Sequence, residues 1–328
     1  MNVKILQLRG IVERCFRSTH FSSSEAADMA DVLLYAEMTG KKTQGIIKLL
    51  GNEPMQGRKP LHKSLVRSNT HVSALIDAGH NPGTLVGRIA TRMVIKKCRE
   101  NGFGIVGTNN SYSSTGTLGF YAQEIAAKDF IGIIMAGTPK AVAPYGAIDK
   151  TIGINPMAIS FPTDHDPLIL DMATAAITWY GLVRAKIMGT KLPQGVALNH
   201  IGELTVDPDE AMKGAILTFG NNRKMSGLAM MLEMFTGPLV GAIAPDNSGD
   251  WYSGSLFIAI DPKLLVGRKK FKKNVTDLIH KIKASRPDKH VREVLLPGEQ
   301  AQRLLQRAKK SGRIDVDDAV YTNITKLP

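Results

Sequence analysis

Residues 152–181, IGINPMAISFPTDHDPLILDMATAAITWYG, are the stretch whose reading decides the fold. Gly153, Asn155 and Pro156 form a turn cluster, after which residues 157–161 run mostly apolar and stop at Pro162. Residues 163–167 make a polar hairpin-type loop, 168–170 a second apolar run closed by Asp171, and 173–183 have the composition of a helix. A strand, a turn, a strand and a helix opening on an acidic residue can build a ligand loop at a sheet edge. Asp171 has a second physical explanation as the N-cap of the helix that follows it.

Toward the start of the chain, Leu8, Ile11, Val12, Cys15 and Phe16 fall at helical spacing and predict one buried stripe. Ser22-Ser23-Ser24-Glu25 is a capping-box pattern, with Ser22 as N-cap and Glu25 at the third helical position. Ala26, Met29, Ala30, Leu33 and Ala36 continue an apolar face up to Gly40. Lys41-Lys42-Thr43-Gln44-Gly45 then suits either a plain connection or a ligand contact. From His71 the period changes: residues 72–77, 103–106 and 130–135 read as strands, with helices over 84–99 and 116–127 between them. That alternation predicts an α/β core. Gly116 and Gly119 at a helix start would let backbone approach a phosphate. No G-x-G-x-x-G joins a strand to a helix, and neither a P-loop nor H-E-x-x-H occurs, so the ordinary Rossmann fingerprint is absent.

Beyond the central stretch, Asp207-Pro208-Asp209-Glu210 is a helix-start signal and Gly220-Asn221-Asn222-Arg223-Lys224 a loop with cations. Residues 227–235 read as an apolar helix and 251–260 as a strand. From Pro262 the chain is basic and helical, and a turn at 295–299 precedes a last helix over 300–310. The 328 residues carry a net charge of +13, much of it in that final third. With aromatic content of 6% there is little interleaving for stacking on bases, so a solvated basic face or a general attraction to anions is expected before nucleic acid. Hydrophobic content of 43% and charged content of 22% are ordinary for a globular protein, and no apolar run approaches bilayer length. The opening MNVKILQLRG lacks a signal-peptide layout, and two cysteines give neither a disulfide framework nor a metal spacing. A cytoplasmic location without a membrane partner or a metal is expected.

Together these stretches resemble the malate/L-lactate dehydrogenase family that lacks a Rossmann fold, with its sulfolactate, ureidoglycolate and diketogulonate dehydrogenases and its cyclic-imine reductases. Gly153-Ile154-Asn155-Pro156 with Ala158, Ile159 and Pro162 follows the family's G-T-N-P-x-A-I-x-x-P, and Leu170-Asp171-Met172-Ala173-Thr174 its L-D-M-A-T-S. Leu192-Pro193-Gln194-Gly195, Asp207-Pro208 and Leu296-Pro297-Gly298-Glu299 stand at the expected places. The resemblance implies an α/β fold with a non-Rossmann mixed-sheet core over residues 69–264 and a helical domain formed by both chain ends, 1–68 and 265–328. It also implies a homodimer acting on a small-molecule substrate with NADH or NADPH. The cofactor would be held by Thr115, Gly116 and Thr117, by Thr138, by Asp171, Met172, Ala173 and Thr174, by Lys224, and by Pro297, Gly298 and Glu299.

Departures from the family pattern fall on the substrate side. Where the family reads S-H-G-V-x-R-L, this chain has Thr43-Gln44-Gly45-Ile46-Ile47-Lys48-Leu49, so the proton-donating His and the carboxylate-gripping Arg are Gln44 and Lys48. The family's N-S-N-H becomes Ser111-Tyr112-Ser113-Ser114, the Thr of G-T-N-P becomes Ile154, and a usually polar residue after Gly181 is Leu182. Candidate catalytic residues are therefore Thr43, Gln44, Lys48, Tyr112 and Ser114, with Ile154, Tyr180 and Leu182 lining the substrate pocket. Gln44 donates a hydrogen bond but has no proton to give at neutral pH, and Lys48 holds a carboxylate only as a point charge. Three functions follow. A C=N bond would be reduced without a family-type acid, because an iminium ion arrives protonated. A 2-oxo acid would be reduced with another acid, drawn from His80, Tyr112, Tyr145, Tyr180 and Lys186; His80, in a Gly/Pro loop, is expected at the surface. In the third, the site no longer catalyses and Met225, where the family has Gly, partly fills the cofactor pocket.

Overall fold

The computed structural model describes residues 1–50, 54–242 and 253–328. The chain opens with β1 (Asn2–Lys4), α1 (Ile5–Arg17) and α2 (Ser23–Met38), then two 3-10 turns at Lys42–Gln44 and Ile46–Leu49. β2 (Leu65–Asn69), β3 (Ser73–Asp77), α3 (Gly83–Asn101), β4 (Phe103–Ser111), α4 (Leu118–Ala126), β5 (Ile131–Ala136) and β6 (Val142–Ala143) follow. β7 (Met157–Phe161), β8 (Leu168–Met172), α5 (Trp179–Met188), β9 (Ala197–Leu198), α6 (Pro208–Lys213), β10 (Ala215–Leu217) and α7 (Arg223–Thr236) form the middle of the chain. β11 (Ser253–Ile260), α8 (Arg268–Lys283), α9 (Glu299–Ser311), β12 (Arg313–Asp315) and α10 (Asp318–Thr325) complete it. Among the described residues no helix is long and apolar enough to cross a membrane.

Seven strands make one mixed sheet in the order β2-β3-β4-β11-β5-β7-β8. Within this sheet, among the described residues, only β3 and β4 pair in parallel. β4 and β5, joined through α4, would be parallel neighbours, but β11 inserts between them and is antiparallel to both. That insertion also lengthens β4 beyond the expected residue 106, because Ser253 at the start of β11 pairs with Ser111. Period-two alternation serves both faces. Val106, Ile134 and Phe257 face α3 and α4, packing with Val86, Val94, Leu118 and Ile125. Met135 and Leu256 on the opposite face pack with Leu232 of α7 and with Val240.

The two chain ends share one core. β1 pairs with β12, Val3 opposite Ile314, and the α1 stripe Leu8, Ile11, Val12, Cys15 and Phe16 is buried with Leu33, Ala308, Val320 and Ile324. The Ser22 capping box forms, with Glu25 Oε2 accepting from Ser22 N at 2.9 Å. The expected boundaries need correction at two places. β2 is already in the large sheet from Leu65, ahead of residue 69. α8 lies on that sheet's flank, with Phe271 against Phe161 and Lys272 3.1 Å from Asp129, so it is not part of the terminal helical core.

The central stretch keeps its strands and loses its helix start. Residues 173–178 are not helical: Ala176 N donates to Leu217 O and Thr174 Oγ1 to Ile154 O, which ties this segment beside β10. α5 begins only at Trp179, with Thr178 as N-cap. Asp171 sits at the end of β8 and caps a different helix, its Oδ2 accepting from Gly119 N at 2.9 Å near the start of α4. Of the expected strand 251–260, Trp251 and Tyr252 lie outside the described residues.

Candidate active site

A cavity of about 870 Å3 opens where the 41–48 turns, the approach to α4, the ends of β5 and β8, and α5 converge. The size is that of a small-molecule site. Of the expected residues, Thr43, Gln44, Lys48, Ser114, Ile154 and Tyr180 line it, as do Thr115, Gly116, Thr117, Thr138, Asp171, Met172 and Ala173.

The others lie elsewhere. Tyr112 is buried against Pro54, and Leu182 is fully enclosed on the inner side of α5. Thr174 is buried and spent on the backbone of Ile154. Lys224 is exposed in the first turn of α7. Gly298 packs its backbone on Ile169 O, where a Cβ would come within 2.3 Å, while Glu299 pairs with Lys283 and Arg303 outside the cavity. Met225 donates its backbone N to the N-cap Asn222 Oδ1 at 3.0 Å in the first turn of α7 and is not among the residues that line the cavity. Among the candidate acids, only Tyr180 and Lys186 reach the lining; His80 is buried rather than at the surface, and Tyr145 is exposed.

The turn at 153–156 is a mount for the cavity wall. Asn155 takes a left-handed φ of 45°, buries completely and donates from Nδ2 to Glu233 Oε2 at 2.6 Å. Gly153 N bonds the same carboxylate at 2.9 Å, and Ile154 N donates to Thr138 Oγ1 at 2.8 Å. A Cβ on Gly153 would lie 2.5 Å from Thr138 O, so only glycine allows this approach. With its backbone thus fixed, Ile154 presents an apolar side chain where the family pattern has a hydroxyl.

Charge in the cavity is lopsided, with Lys41, Lys48, Lys140, Lys150 and Lys186 against Asp171 alone among the described lining residues. Lys41, missed from the sequence, places Nζ 2.5 Å from Asp171 Oδ2 and donates to its backbone oxygen at 2.9 Å. The same Oδ2 accepts from Thr117 Oγ1 at 2.7 Å. The helix-start amides expected to meet a phosphate are therefore engaged already, Gly119 N by Asp171 and Gly116 N by Ser114 Oγ. Anion recognition falls to the lysines instead. Lys186 is held by Asp209 at 2.5 Å, and Lys48 stands 3.7 Å over the ring of Tyr180.

Behind the lining, Glu37 of α2 is buried and accepts from Ile46 N at 2.9 Å, fixing the turn that carries Gln44 and Lys48. Burial pushes its carboxyl up to about 7. Gly45 is what lets the carboxylate in, since a Cβ there would lie 2.0 Å from Glu37 Oε1. Gly45→Ala is expected to destabilise by about 1–3 kcal/mol through overpacking, measured by thermal unfolding; an unchanged melting temperature would show that the turn relaxes freely. Asp317, ahead of α10, ties the neighbouring elements by pairing with Lys42 at 3.0 Å and Arg184 at 2.7 Å, and the Arg184 hydrogen bond holds its carboxyl below the usual range.

A mixed-sheet core closed by a helical unit from both chain ends, with a hydroxyl- and lysine-lined cavity between them, is the architecture of a small-molecule enzyme. The chain belongs to the malate/L-lactate dehydrogenase family, whose model matches residues 3–325, and it is an oxidoreductase. It is 31% identical to the malate/(S)-sulfolactate dehydrogenase of Methanothermus fervidus, over 97% of this chain and 95% of that one. It is 28% identical to the Δ1-pyrroline-2-carboxylate/Δ1-piperideine-2-carboxylate reductase of Pseudomonas aeruginosa, over 80% and 81% of the two chains. The solved structure of sulfolactate dehydrogenase from Methanocaldococcus jannaschii matches with a TM-score of 0.84 at 30% identity, covering 100% of this chain and 96% of that one.

Proposed function

We propose that this protein uses NADH or NADPH to reduce the C=N bond of a small carboxylate-bearing cyclic imine. The observation that carries this is the make-up of the lining: among the described residues it contains no histidine and no arginine, and the neutral Gln44 stands where the family has its proton-donating His, beside the hydroxyl of Thr43. A ketone needs a proton delivered to a growing alkoxide, whereas an iminium ion accepts hydride and becomes a neutral amine. Ile154 adds an apolar wall suited to a ring.

The residues present fit a nicotinamide nucleotide. The cavity is large enough, Thr115, Gly116 and Thr117 line it, and Lys140 and Lys150 supply cations for a pyrophosphate. When bound, that group supplies the hydride. Lys41 and Thr117 keep the Asp171 carboxylate neutralised, so it does not repel the phosphates. A 2-oxo acid is the second substrate class, favoured by the surplus of lysines in the lining.

Steady-state oxidation of NADH and NADPH with Δ1-piperideine-2-carboxylate, Δ1-pyrroline-2-carboxylate, pyruvate and oxaloacetate decides between the two. The expected result is a kcat/KM for a cyclic imine at least about tenfold above that for either oxo acid. Turnover confined to the oxo acids would overturn it.

A further inference from the structure

We infer that the end of the cavity formed by α5 and the turn Ile46–Leu49 is a subsite for an apolar substituent of the substrate. The preferred carboxylate then carries an alkyl or aryl group and not a second anionic one. This rests on the reading above that a carboxylate substrate is reduced in this cavity, and it narrows the class of that substrate.

The subsite follows from the spacing along one helix. Tyr180, Val183 and Ile187 of α5 stand at i, i+3 and i+7, which places them on one stripe. Leu182 and Ala185 fill another side and are buried in a cluster with Ile154 and Ile216. The stripe is half-buried: each of its three residues packs on the core of the terminal unit and also lines the cavity. Leu50, just beyond the turn, does the same. α5, α10 and the turn Ile46–Leu49 pack on one another, so three elements wall this corner. The helix that carries the stripe is fixed at both ends. Thr178 Oγ1 accepts from Gly181 N at 3.1 Å, and Gly189 closes the last turn in a left-handed conformation.

Polar groups at this corner are few and mostly committed. Lys48 is 3% exposed, and its amine rests 3.7 Å from the centroid of the Tyr180 ring. Lys186 also reaches the lining but is tied to Asp209 at 2.5 Å, and Arg184 is turned to Asp317 at 2.7 Å. Asn323, which α10 brings to the lining, is neutral. Lys48 matches one carboxylate of a substrate. A second carboxylate here would give up water without gaining an uncommitted cation, which is costly. Hydrocarbon gains by leaving water against the stripe. The hydroxyls and cations that suit the nucleotide, Thr117, Thr138, Lys140 and Lys150 among them, come from other elements of the lining, so the apolar corner is left for the body of the substrate.

Matched pairs of substrates test this with NADH and NADPH. In the imine pair, 3,4-dihydroisoquinoline-1-carboxylate adds a fused benzene ring to Δ1-piperideine-2-carboxylate. In the oxo-acid set, 4-methyl-2-oxopentanoate adds a branched alkyl group to pyruvate, and oxaloacetate adds a second carboxylate. In whichever class is turned over, kcat/KM is expected to be at least about tenfold higher for the apolar member than for the unsubstituted one. Val183→Ser and Ile187→Ser are each expected to shrink that ratio by about fivefold. A ratio of one or less, or oxaloacetate preferred to 4-methyl-2-oxopentanoate, overturns the subsite. A second measurement does not depend on turnover. By calorimetry, the wild-type protein is expected to bind 4-methylpentanoate about tenfold more tightly than propanoate or succinate, and V183S to lose most of that difference. Equal affinity for 4-methylpentanoate and propanoate, tighter binding of succinate, or a difference unchanged in V183S overturns the inference even if imines are reduced. An apolar preference without imine turnover would instead remove the proposed reaction and leave the subsite in place.

Discussion

Asp171→Ala is expected to lower stability by about 3 kcal/mol, more than any other substitution in the cavity wall, because one carboxylate serves three partners. Its Oδ2 accepts from Thr117 Oγ1 at 2.7 Å and Gly119 N at 2.9 Å, and Lys41 Nζ lies 2.5 Å away. The pair is well screened from solvent, with side-chain exposures of 11% for Asp171 and 29% for Lys41. Removing the carboxylate leaves an unpartnered lysine beside a helix start whose amide has lost its acceptor. Gly119 is shaped to this contact, since a Cβ there would meet Asp171 Oδ2 at 2.8 Å. Asp171→Asn preserves an acceptor for the amide but not the charge, and should recover roughly half of the loss. Thermal unfolding of the two variants with K41M completes a double-mutant cycle. A D171A protein within about 1 kcal/mol of wild type would show that the contact contributes little to the fold.

What the sequence made legible was what depends on near neighbours. The α1 stripe and the Ser22–Glu25 box need only helical spacing and a three-residue reach, and both form. The two strands around Pro162 follow from apolar runs broken by a polar loop, and β7 and β8 pair as expected. Where a distant partner intervenes, local composition misleads. Residues 173–177 look helical, but Ala176 and Thr174 are claimed by Leu217 and Ile154, which postpones the helix to Trp179. Asp171 caps α4 by reaching Gly119, 52 residues earlier in the chain, through a contact that spacing could not announce. In the site, the departures at residues 44 and 48 marked the right turn because a resemblance supplied something to depart from. Lys41, Lys140 and Lys150 carried no such mark, and a surplus of lysines in composition reads equally as solvated surface. Tyr112 and Leu182 were drawn in as departures from the same family pattern, while their side chains turn into the core.

Glu37→Gln tests how the buried carboxyl behind the site couples pH to the fold. Burial raises the Glu37 pKa from 4.5 to about 7, against the opposing effects of the Ile46 N hydrogen bond and the Lys42 and Arg184 charges. The folded protein therefore holds a proton that the unfolded chain releases between these two values. On this residue's account, stability is greatest below 4.5, falls as pH rises toward 7 and levels off above it, by about 3 kcal/mol in all. The side-chain amide introduced by E37Q would keep an oxygen for Ile46 N and remove the titration, so the variant should gain on wild type from about pH 5 to pH 7 and hold that gain at pH 8. Melting temperatures of both proteins across that range are the measurement, and parallel curves would show that Glu37 titrates at its ordinary value. The consequence reaches the cavity because the hydrogen bond to Ile46 N fixes the turn on which Gln44 and Lys48 ride. Above neutral pH the charged carboxylate must be accommodated behind that turn, in contact with Gly45 and next to the Lys42, Arg184 and Asp317 cluster. Turnover of E37Q should accordingly depend less on pH than that of the wild type between about pH 5 and pH 7, because the support of the turn that carries Gln44 and Lys48 no longer titrates.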